Sequence, residues 1–570
     1  MQVLNDELAA IFEEMADMEE IEGRKWQSLA YRKAAASISA AGSNLMDLYR
    51  SGRLRDIDGV GDAIEAKIRD YIEKGKIEKY EEMKARYPID FTSLRKLQGL
   101  GPKKIYALFT ALRVKDIETL KAALNDHSIS GLQGFGEKSE ESLRKAVEVF
   151  EKYGANRRFL AEIYDEVQEI KKKLVKSSLF ESLEIAGSFR RMRETVGDID
   201  ILGVSPDPEK GREFFTSLDD IAGIISSGPS KMTVRLKNGL TCDFRIFEKD
   251  SFGAAMQYFT GSKEHNVQLR EIAISKGMKL NEYGLYEGGR VKAGSSEIEI
   301  YRALGLEWIE PELRENMGEI QAAAANRLPR LVEYGSIRGD LHTHTVDTDG
   351  RNTLEQMVEA ASASGLEYMA ITNHSKGLKV ARGLTDEGFR SFNRKIDSMN
   401  EKGSIRIFKG VELEILKDGS LDLDDSTLKE MDFVLAALHQ GLVADADMNT
   451  ARLLKAIESG KIHGLAHPTG RLIGSREAYR LNFDRIFEAC RDNHLFIEIN
   501  GHPERSDLPF DLVKKAKEYG IHFTLGSDSH STMDLRNLHF ATAIARRGWL
   551  DKESVVNTLD AGHFADLIRR

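Results

Sequence analysis

Cysteine, proline and long apolar runs are all scarce in this sequence. Its 570 residues include two cysteines, Cys242 and Cys490, which cannot build a disulfide framework, so we expect a reducing, cytoplasmic setting. No run approaches the roughly 18 apolar residues that a membrane span needs, and the acidic N-terminus lacks the basic and apolar parts of a secretory signal, so we expect no membrane contact. At roughly 100–200 residues per domain, we expect three to five domains.

Positive charge is also in deficit. The formal net charge of −10 argues against a global electrostatic grip on nucleic acid, so any DNA contact must come from local basic patches and backbone amides. The 14 histidines are unevenly distributed, because only His127 and His265 precede residue 342. This asymmetry points to metal chemistry in the C-terminal part of the chain.

A short glycine motif occurs three times before residue 140, as Ile57-Asp-Gly-Val-Gly61, Leu97-Gln-Gly-Leu-Gly101 and Leu132-Gln-Gly-Phe-Gly136. It is the signature of a helix-hairpin-helix, whose turn presents backbone amides that bind a DNA phosphate without reading a base. One copy alone would favour an ordinary glycine-capped helix turn, but three copies favour DNA binding. The expected DNA-binding residues are Gly59, Gly61, Gly99, Gly101, Lys103, Lys104, Gly134 and Gly136.

Two aspartates lie two positions apart in the apolar segment Val196-Gly-Asp-Ile-Asp-Ile-Leu202. Side chains alternate along a strand, so the carboxylates of Asp198 and Asp200 point to the same side. The Lys237-Asn-Gly239 turn predicts a hairpin, and Asp243 in its second arm could complete the pair from a neighbouring strand. Three such carboxylates suit two divalent cations, although Asp-x-Asp alone is also typical of an exposed acidic strand.

A glycine-serine turn, Gly187-Ser188, precedes these aspartates and opens a short helix that carries Arg191. The turn amides, the serine hydroxyl and the arginine could hold a triphosphate. Together with the aspartates, this arrangement predicts nucleotidyl transfer, which needs metal ions and alignment more than covalent help.

The C-terminal part alternates apolar runs with helical stretches, which predicts a parallel, barrel-like α/β domain. The runs are Gly339–His344, Tyr368–His374, Ile405–Glu412, Phe433–His439, Ile462–His467, Leu495–Asn500 and His522–Asp528. Histidines and carboxylates fall repeatedly at their C-terminal ends, the face at which barrel active sites lie.

Imidazole and carboxylate ligands suit zinc, manganese or iron, and the number of these groups suggests two or three ions. The predicted metal ligands are His342, His344, Asp349, His374, Glu412, His439, His467, Asp528 and His530. The histidines interpreted as ordinary side chains are His463, His494, His502, His522, His539 and His563.

The segments Gly187-Ser-Phe-Arg-Arg191 and Gly197-Asp-Ile-Asp200 resemble the palm of the family X DNA polymerases (the DNA polymerase beta family). Tyr258-Phe-Thr-Gly-Ser262 resembles the thumb motif of that family, and the resemblance covers residues 1 to about 316. It implies two magnesium, or manganese, ions at the three aspartates, Asp198, Asp200 and Asp243. The nucleotide-binding residues that it implies are Gly187, Ser188, Arg191, Tyr258, Phe259, Gly261, Asn266 and Arg270.

The N-terminal segment resembles the small lyase domain of the same family, through Tyr31-Arg-Lys-Ala-Ala35 and Gly59-Val-Gly61. Lys67 stands where the family places its Schiff-base lysine, whereas Ala63 replaces a lysine of the 5′-phosphate pocket. The resemblance implies binding of a 5′-phosphate at a gap. A lysine nucleophile needs a lowered pKa, and nothing in the sequence indicates one, so a solvated helix lysine is an equally good interpretation of Lys67.

The order of the C-terminal ligands resembles the PHP (polymerase and histidinol phosphatase) domain over about residues 336–570, with all nine ligand positions filled. This implies a distorted seven-stranded barrel with a trinuclear site. In fusions with family X polymerases of bacteria and archaea, it also implies manganese-dependent 3′–5′ exonuclease action and processing of blocked 3′ ends or abasic sites. Asn373 replaces an aspartate that the family often has, and we expect it to contact a ligand and not a metal.

The predicted fold class is multidomain, with helical helix-hairpin-helix N-terminal domains, an α+β nucleotidyltransferase palm with a thumb, and a C-terminal distorted (β/α)7 PHP barrel. The predicted domains are 1–86 (5′-phosphate/lyase-like), 87–151 (fingers), 152–249 (palm), 250–316 (thumb), 317–335 (linker) and 336–570 (PHP).

The predicted function is a DNA polymerase that fills short gaps in base-excision repair, with a C-terminal 3′–5′ exonuclease. The expected partners are dNTPs and gapped or primed DNA with a 5′-phosphate, and we expect a cytoplasmic, nucleoid-associated monomer. Three alternatives are open: a non-templated nucleotidyltransferase, a DNA-binding scaffold whose only enzyme is the PHP phosphoesterase, and a polymerase fused to a small-molecule PHP phosphatase.

Overall fold

The computed structural model describes residues 3–40, 45–57, 59–95, 97, 100–153, 157–228, 231–401, 403, 405–441 and 445–569. The chain divides into two compact units, one formed mainly by residues 1–155 and one by residues 156–473 and 478–570. Within the described ranges, no helix is both long enough and apolar enough to cross a membrane.

The first unit is built from helices around one apolar core. Its first helix buries Leu8, Phe12 and Met15, which recur at helical spacing along one face. Asp116 begins a later helix with a capping box, since its carboxylate accepts the Thr119 amide at 2.8 Å. The helices are α1 Val3–Ile21, α2 Lys25–Ala40, α3 Leu45–Arg50, α4 Asp62–Lys74, α5 Glu78–Arg86, α6 Phe91–Leu94, α7 Pro102–Leu112, α8 Ile117–Asn125 and α9 Glu137–Tyr153.

The predicted palm region forms a five-stranded mixed sheet of order β2-β4-β7-β6-β5, beside a two-stranded β1-β3 pair. The predicted hairpin is present, with β6 and β7 antiparallel and Gly239 in the left-handed region at φ +89°. The elements are β1 Arg158–Phe159, α10 Leu160–Lys176, β2 Ser182–Ile185, α11 Gly187–Arg190, β3 Thr195–Val196, β4 Asp198–Val204, α12 Pro208–Thr216, β5 Ile221–Ser227, β6 Lys231–Leu236 and β7 Thr241–Ile246.

The predicted thumb region combines helices with a three-stranded antiparallel sheet of order β10-β9-β8. The segment 317–335, predicted as a polar helical linker, contains one short helix that packs into the thumb core through Ile320 and Ala323. Its Glu319 is buried and lies 2.7 Å from His265 Nδ1. The elements are α13 Phe252–Thr260, α14 Lys263–Ser275, β8 Met278–Asn281, β9 Gly284–Glu287, β10 Arg290–Ala293, α15 Glu297–Ala303 and α16 Glu319–Ala324.

The C-terminal region is a parallel barrel of seven strands whose spatial order is their order in the chain. Each of the seven predicted apolar runs supplies one strand, and a parallel bridge between Thr343 and Ser529 brings the two ends of the sheet together. The predicted fold class is therefore confirmed. The strands are β11 Gly339–Thr343, β12 Tyr368–Ile371, β13 Arg406–Glu414, β14 Phe433–Ala437, β15 Gly464–Leu465, β16 Phe496–Asn500 and β17 Phe523–Gly526.

Helices surround this barrel, as expected for strands that are connected in parallel. They are α17 Leu354–Ala363, α18 Asp386–Asn400, α19 Asp425–Leu428, α20 Ala446–Glu458, α21 Phe483–Asp492, α22 Phe510–Glu518, α23 Asn537–Arg547 and α24 Ala561–Ile568.

Helix α23 of the barrel packs directly against the palm. Phe540 and Ala543 belong to the palm's apolar core, and Arg547 at the end of the helix is fully buried. The Arg547 guanidinium lies 2.8 Å from the Glu194 carboxylate and 3.7 Å from that of Glu315. Palm and barrel therefore share both apolar and ionic contacts.

We predict that Arg547→Ala destabilises the chain by about 3–5 kcal/mol, because the substitution removes a fully buried guanidinium and leaves the largely covered Glu194 carboxylate without its closest cation. Denaturant unfolding of the full chain measures this change. The control is Arg491→Ala, which removes an exposed arginine that pairs with its neighbour Asp492. Equal stability of the two variants would contradict the prediction.

Candidate functional sites

Nine side chains converge at the C-terminal ends of the barrel strands. Their ligand atoms fall into four overlapping groups, and within each group these atoms lie within 4.8 Å of one another. The groups are His344, Asp349, His374 and His530; His342, His344 and Glu412; His342, His467 and Asp528; and His374, Glu412 and His439. These are the nine residues that the sequence predicted as ligands, and parallel strands explain the convergence because their ends meet at one face.

Glu412 is the central carboxylate of this barrel-mouth cluster. One of its oxygens lies 2.7 Å from His467 Nε2 and 3.1 Å from His439 Nε2, and the other lies 2.9 Å from His374 Nδ1. Burial acts to raise the pKa of Glu412, but the surrounding imidazoles lower it well below its usual range. The carboxylate is therefore ionised, as a metal ligand must be.

Four buried atoms of the cluster form no well-aligned hydrogen bond with any described residue, although two of them, Glu412 Oε2 and His374 Nδ1, lie 2.9 Å apart. The four atoms are Glu412 Oε2, His344 Nδ1, His374 Nδ1 and Asp349 Oδ1. An unsatisfied buried polar atom is costly, so such a concentration needs an explanation. Burial and the neighbouring His530 and His374 also lower the pKa of His344 to about 3, which keeps its imidazole neutral. Imidazole nitrogens and carboxylate oxygens gathered at this spacing are the donors that divalent cations take in their deprotonated forms, so the residues fit a metal centre.

Three further carboxylates orient the predicted ligands. Glu498 lies 2.6 Å from His342 Nδ1, and Glu414 lies 2.7 Å from His439 Nδ1. Asp340 accepts the His342 amide at 3.2 Å. Sequence reasoning missed all three, although strand alternation gave a signal, since Asp340 and Glu414 stand two positions from a predicted ligand on the same strand.

Asn373 contacts the loop that carries Asp349. Its amide oxygen accepts the Thr345 amide at 2.9 Å and the Thr348 hydroxyl at 3.0 Å. The same oxygen lies 3.3 Å from the Thr345 hydroxyl, which also donates to it. Its contacts therefore order the loop before Asp349.

His502, interpreted from sequence as an ordinary histidine, lies beside the barrel-mouth cluster. Burial lowers its pKa, and the charge of Asp528 acts in the opposite direction. Its Nδ1 atom is buried and forms no hydrogen bond with a described residue. The turn after β16 therefore places a further polar side chain next to the ligands.

The palm brings Asp198, Asp200 and Asp243 to one face of its sheet. Strands β4 and β7 are parallel neighbours, with Asp200 opposite Asp243, while Ile199 is buried on the other face. Burial and the charges of the other two aspartates raise the pKa of Asp200 to about 7. Divalent cations relieve this kind of repulsion, so the three residues fit a second metal centre.

Asp243 forms ion pairs with two basic side chains in this structure. Its carboxylate lies 2.6 Å from Lys231 Nζ and 3.0 Å from Arg245 Nη2, and it accepts the Thr233 hydroxyl at 2.7 Å. Among the described residues, no ligand group within 4.8 Å includes the palm aspartates. Metal binding here therefore requires the Lys231 ammonium to leave Asp243.

The predicted triphosphate-binding turn lies next to these aspartates. Gly187 has φ +65°, and a Cβ at this position would lie 3.0 Å from Asp200 Oδ2, so both the turn and the close approach require glycine. Ser188 lies in the short helix α11. Arg191 pairs with Glu315 at 3.0 Å and donates a hydrogen bond to the Thr260 carbonyl, so its guanidinium contacts the thumb.

The predicted thumb residues cluster around helix α13. The Tyr258 and Phe259 rings are perpendicular with centroids 5.1 Å apart, and the Asn266 amide donates to the Tyr258 carbonyl at 2.7 Å. Gly261 ends the helix at φ +70°, and Arg270 is half-buried on α14. Asn266 is thus held in place by the backbone of the aromatic pair.

Two of the glycine turns lead directly into helices. Gly61 and Gly101 are the N-cap residues of α4 and α7, and neither helix has a side-chain cap, which leaves first-turn amides for an anion. Gly59 and Gly134 adopt φ +79° and +87°. The other predicted contacts are Gly136, which precedes α9, the exposed Lys103 and Lys104, and Gly99, which is outside the described residues.

Lys67 on α4 has a partly desolvated ammonium. Its Nζ donates to the Ala63 carbonyl at 2.9 Å and lies 5.8 Å from the Tyr31 ring centroid. Burial lowers the pKa of Lys67, and the positive charge of Lys79 lowers it further. The pKa of Lys67 thus shifts in the direction that a lysine nucleophile needs.

Four family models match parts of the chain. They are a helix-hairpin-helix domain at residues 3–77, a SAM-like helix-hairpin-helix tandem at 91–148, the DNA polymerase beta thumb at 255–315 and the PHP domain at 340–502.

Among curated proteins, the chain is 36% identical over 533 residues to the DNA polymerase/3′-5′ exonuclease PolX of Bacillus subtilis (strain 168), covering 93% of this chain and 92% of that protein. It is 28% identical over 241 residues to a probable phosphatase of Thermoanaerobacter sp. (strain X514), covering 40% of this chain and 94% of that protein. A probable phosphatase of Acetivibrio thermocellus is 27% identical over 240 residues, covering 40% of this chain and 95% of that protein.

We predict that Glu498→Gln weakens manganese binding at the barrel mouth by roughly 10–100-fold, because the variant no longer accepts a strong hydrogen bond that orients His342. Chelator competition on the full chain measures the affinity. Glu518→Gln, a change at an exposed position of the same domain, is the matched control. The prediction is wrong if both variants hold manganese as tightly as the unmodified chain.

Proposed function

Because the chain belongs to the PolX family of DNA polymerases with a C-terminal PHP exonuclease domain, we propose that it fills short gaps in base-excision repair and trims or unblocks 3′ ends. It is a DNA polymerase and 3′–5′ exonuclease of metal-dependent type, and DNA is its substrate. The proposed repair role is supported by one observation, which is that a single chain contains two candidate metal centres and helix-hairpin-helix turns.

In the proposed polymerase reaction, Asp198, Asp200 and Asp243 hold two magnesium, or manganese, ions. Bound ions would lower the pKa of the primer 3′-hydroxyl and neutralise the triphosphate. The 3′-hydroxyl attacks the α-phosphate of a dNTP and pyrophosphate leaves. The Gly187 turn and Ser188 cradle the triphosphate, and Arg191 joins them after exchanging its Glu315 partner for the nucleotide.

The proposed thumb contacts complete the nucleotide site. Tyr258 and Phe259 flank the sugar and disfavour a 2′-hydroxyl, with Gly261 in the same motif. Asn266 and Arg270 approach the nascent base pair and template from the minor-groove side. The hydrogen bond from the Asn266 side chain to the Tyr258 carbonyl supports this arrangement.

In the proposed nuclease reaction, the nine barrel-mouth residues hold two or three manganese, zinc or iron ions. Bound ions would activate water and neutralise a DNA phosphodiester. The carboxylates Asp340, Glu414 and Glu498 position the ligands. The water oxygen would bond to phosphorus, and the bond from phosphorus to the 3′ oxygen of the remaining strand would break, with the proton passing to that oxygen. The terminal nucleotide then leaves as a 5′-monophosphate, or a blocking group leaves with its phosphate.

The proposed setting follows from the family and the site chemistry. The protein acts as a monomer on gapped or primed chromosomal DNA in the cytoplasm, with dNTPs as co-substrates. The helix-hairpin-helix turns bind phosphates through backbone amides, which explains how a chain of net charge −10 holds DNA.

We predict that the two activities separate by mutation. The double variant Asp198→Ala with Asp200→Ala abolishes templated dNTP incorporation on gapped DNA, because the palm can no longer hold its ions. His342→Ala abolishes manganese-dependent 3′-end degradation and leaves incorporation intact. Incorporation that survives the double aspartate change would contradict the palm assignment, and degradation that survives His342→Ala in a highly purified preparation would contradict the nuclease assignment.

The N-terminal unit also supports a lyase step, in which Lys67 Nζ attacks the C1′ aldehyde of an abasic 5′-deoxyribose phosphate and forms a Schiff base with loss of water. The lowered pKa of Lys67 favours the neutral amine that this attack needs. The exposed turn amides near Gly61 offer a place for the 5′-phosphate.

Borohydride reduction of the Schiff base tests this step, and we predict covalent trapping of a 5′-deoxyribose phosphate DNA by the unmodified chain but not by Lys67→Ala. Lys74→Ala is the control, because Lys74 lies on the same helix and pairs with Asp70. Trapping by Lys67→Ala at the unmodified level would assign the chemistry to another amine.

A further inference from the structure

An arginine outside the nine ligands faces the barrel-mouth cluster. Arg505 lies in the turn that follows β16, and its Nε is 3.2 Å from Asp528 Oδ2. The other Asp528 oxygen points to the histidines, 3.3 Å from His344 Nε2 and 3.7 Å from His342 Nε2. The guanidinium therefore lies directly behind a carboxylate that faces the metal position.

The outer edge of the Arg505 guanidinium is available for a ligand. The side chain is 20% exposed, and Nη1 and Nη2 form no hydrogen bond within the part of the chain that the structure describes. Arginine presents paired donors in a planar fork that matches two oxygens of a phosphate. An anion bound at the metal centre could accept hydrogen bonds from these Arg505 donors.

The Arg505 turn is held rigidly from both sides. The Arg471 Nε donates to the Arg505 carbonyl at 2.8 Å, and its Nη2 donates to the Ser506 carbonyl. The Arg505 amide donates to the His502 carbonyl at 2.9 Å. Such a backbone keeps the side chain in place before substrate arrives.

The charge of Arg505 is difficult to explain as support for the metal centre. A guanidinium close to divalent cations repels them and competes for the Asp528 carboxylate, so it weakens metal binding. It stabilises a further negatively charged group that binds beside Asp528, in reach of Nη1 and Nη2. A phosphodiester is such a group.

We propose that Arg505 is a catalytic residue of the PHP reaction, which clamps a non-bridging oxygen of the scissile DNA phosphate opposite the metal ions. The inference rests on the nuclease function proposed above. As water adds to phosphorus and the bond from phosphorus to the 3′ oxygen of the remaining strand breaks, negative charge grows on the phosphate oxygens, and a fixed charged donor there lowers the barrier.

The test compares Arg505→Ala and Arg505→Lys with the unmodified chain in manganese. We expect Arg505→Ala to lower kcat/KM for 3′-end degradation by on the order of 10²-fold, the effect of removing one preorganised donor. We also expect inorganic phosphate to inhibit this variant roughly tenfold more weakly. We expect Arg505→Lys, which keeps the charge but not the paired donors, to show a kcat/KM between those of the unmodified chain and Arg505→Ala.

Metal content and melting temperature are measured on the same preparations, with Arg491→Ala as an exposed-arginine control. The proposal predicts unchanged manganese stoichiometry in Arg505→Ala. It is overturned if Arg505→Ala cleaves like the unmodified chain, or if activity is lost only in proportion to lost metal, since Arg505 would then merely support Asp528. If the unmodified chain loaded with manganese does not degrade DNA, the nuclease function itself fails, which is a different result.

Discussion

Buried carboxylates and imidazoles crowded into small volumes are the constraint on which this chain depends. At the barrel mouth, three carboxylates and six histidines share one site, and several of their atoms have no hydrogen-bond partner among the described residues. In the palm, partial burial and the charges of two other aspartates raise the pKa of Asp200 to about 7. Both arrangements are unfavourable for a protein alone and become favourable when divalent cations and a phosphate group are bound.

The barrel does more than carry a second activity, because it completes the palm. Helix α23 contributes apolar side chains to the palm core, and Arg547 neutralises Glu194. Arg471 of the barrel also lies 3.7 Å from Glu194, and the same side chain holds the Arg505 turn at the nuclease site. The Glu194 carboxylate of the palm thus lies close to two arginines of the barrel, Arg547 and Arg471.

Local patterns in the sequence were sufficient for the architecture and for most of the site. Strand alternation placed Asp198 and Asp200 on one face, and the position of His439 at the end of an apolar run placed it at the barrel mouth. Contacts between distant segments were not predictable in this way. Nothing near Arg191 in the sequence shows that Glu315, 124 residues later, pairs with it.

The same limit explains the residues that were missed at the nuclease site. Glu498 and Arg505 become recognisable only when β16 and the turn after it are placed beside His342, on β11, and Asp528, just after β17. His502 lacks the strand-end position by which the ligand histidines were found. Pairing between strands, and not the order of residues, brings these groups together.

Anomalous scattering from crystals of the full chain with manganese and gapped DNA tests the central claim most directly. The account predicts ions bound among Asp198, Asp200 and Asp243 and a separate group of ions among the nine barrel-mouth residues, each next to a DNA or nucleotide phosphate. Crystals without anomalous density at either cluster under these conditions would contradict it.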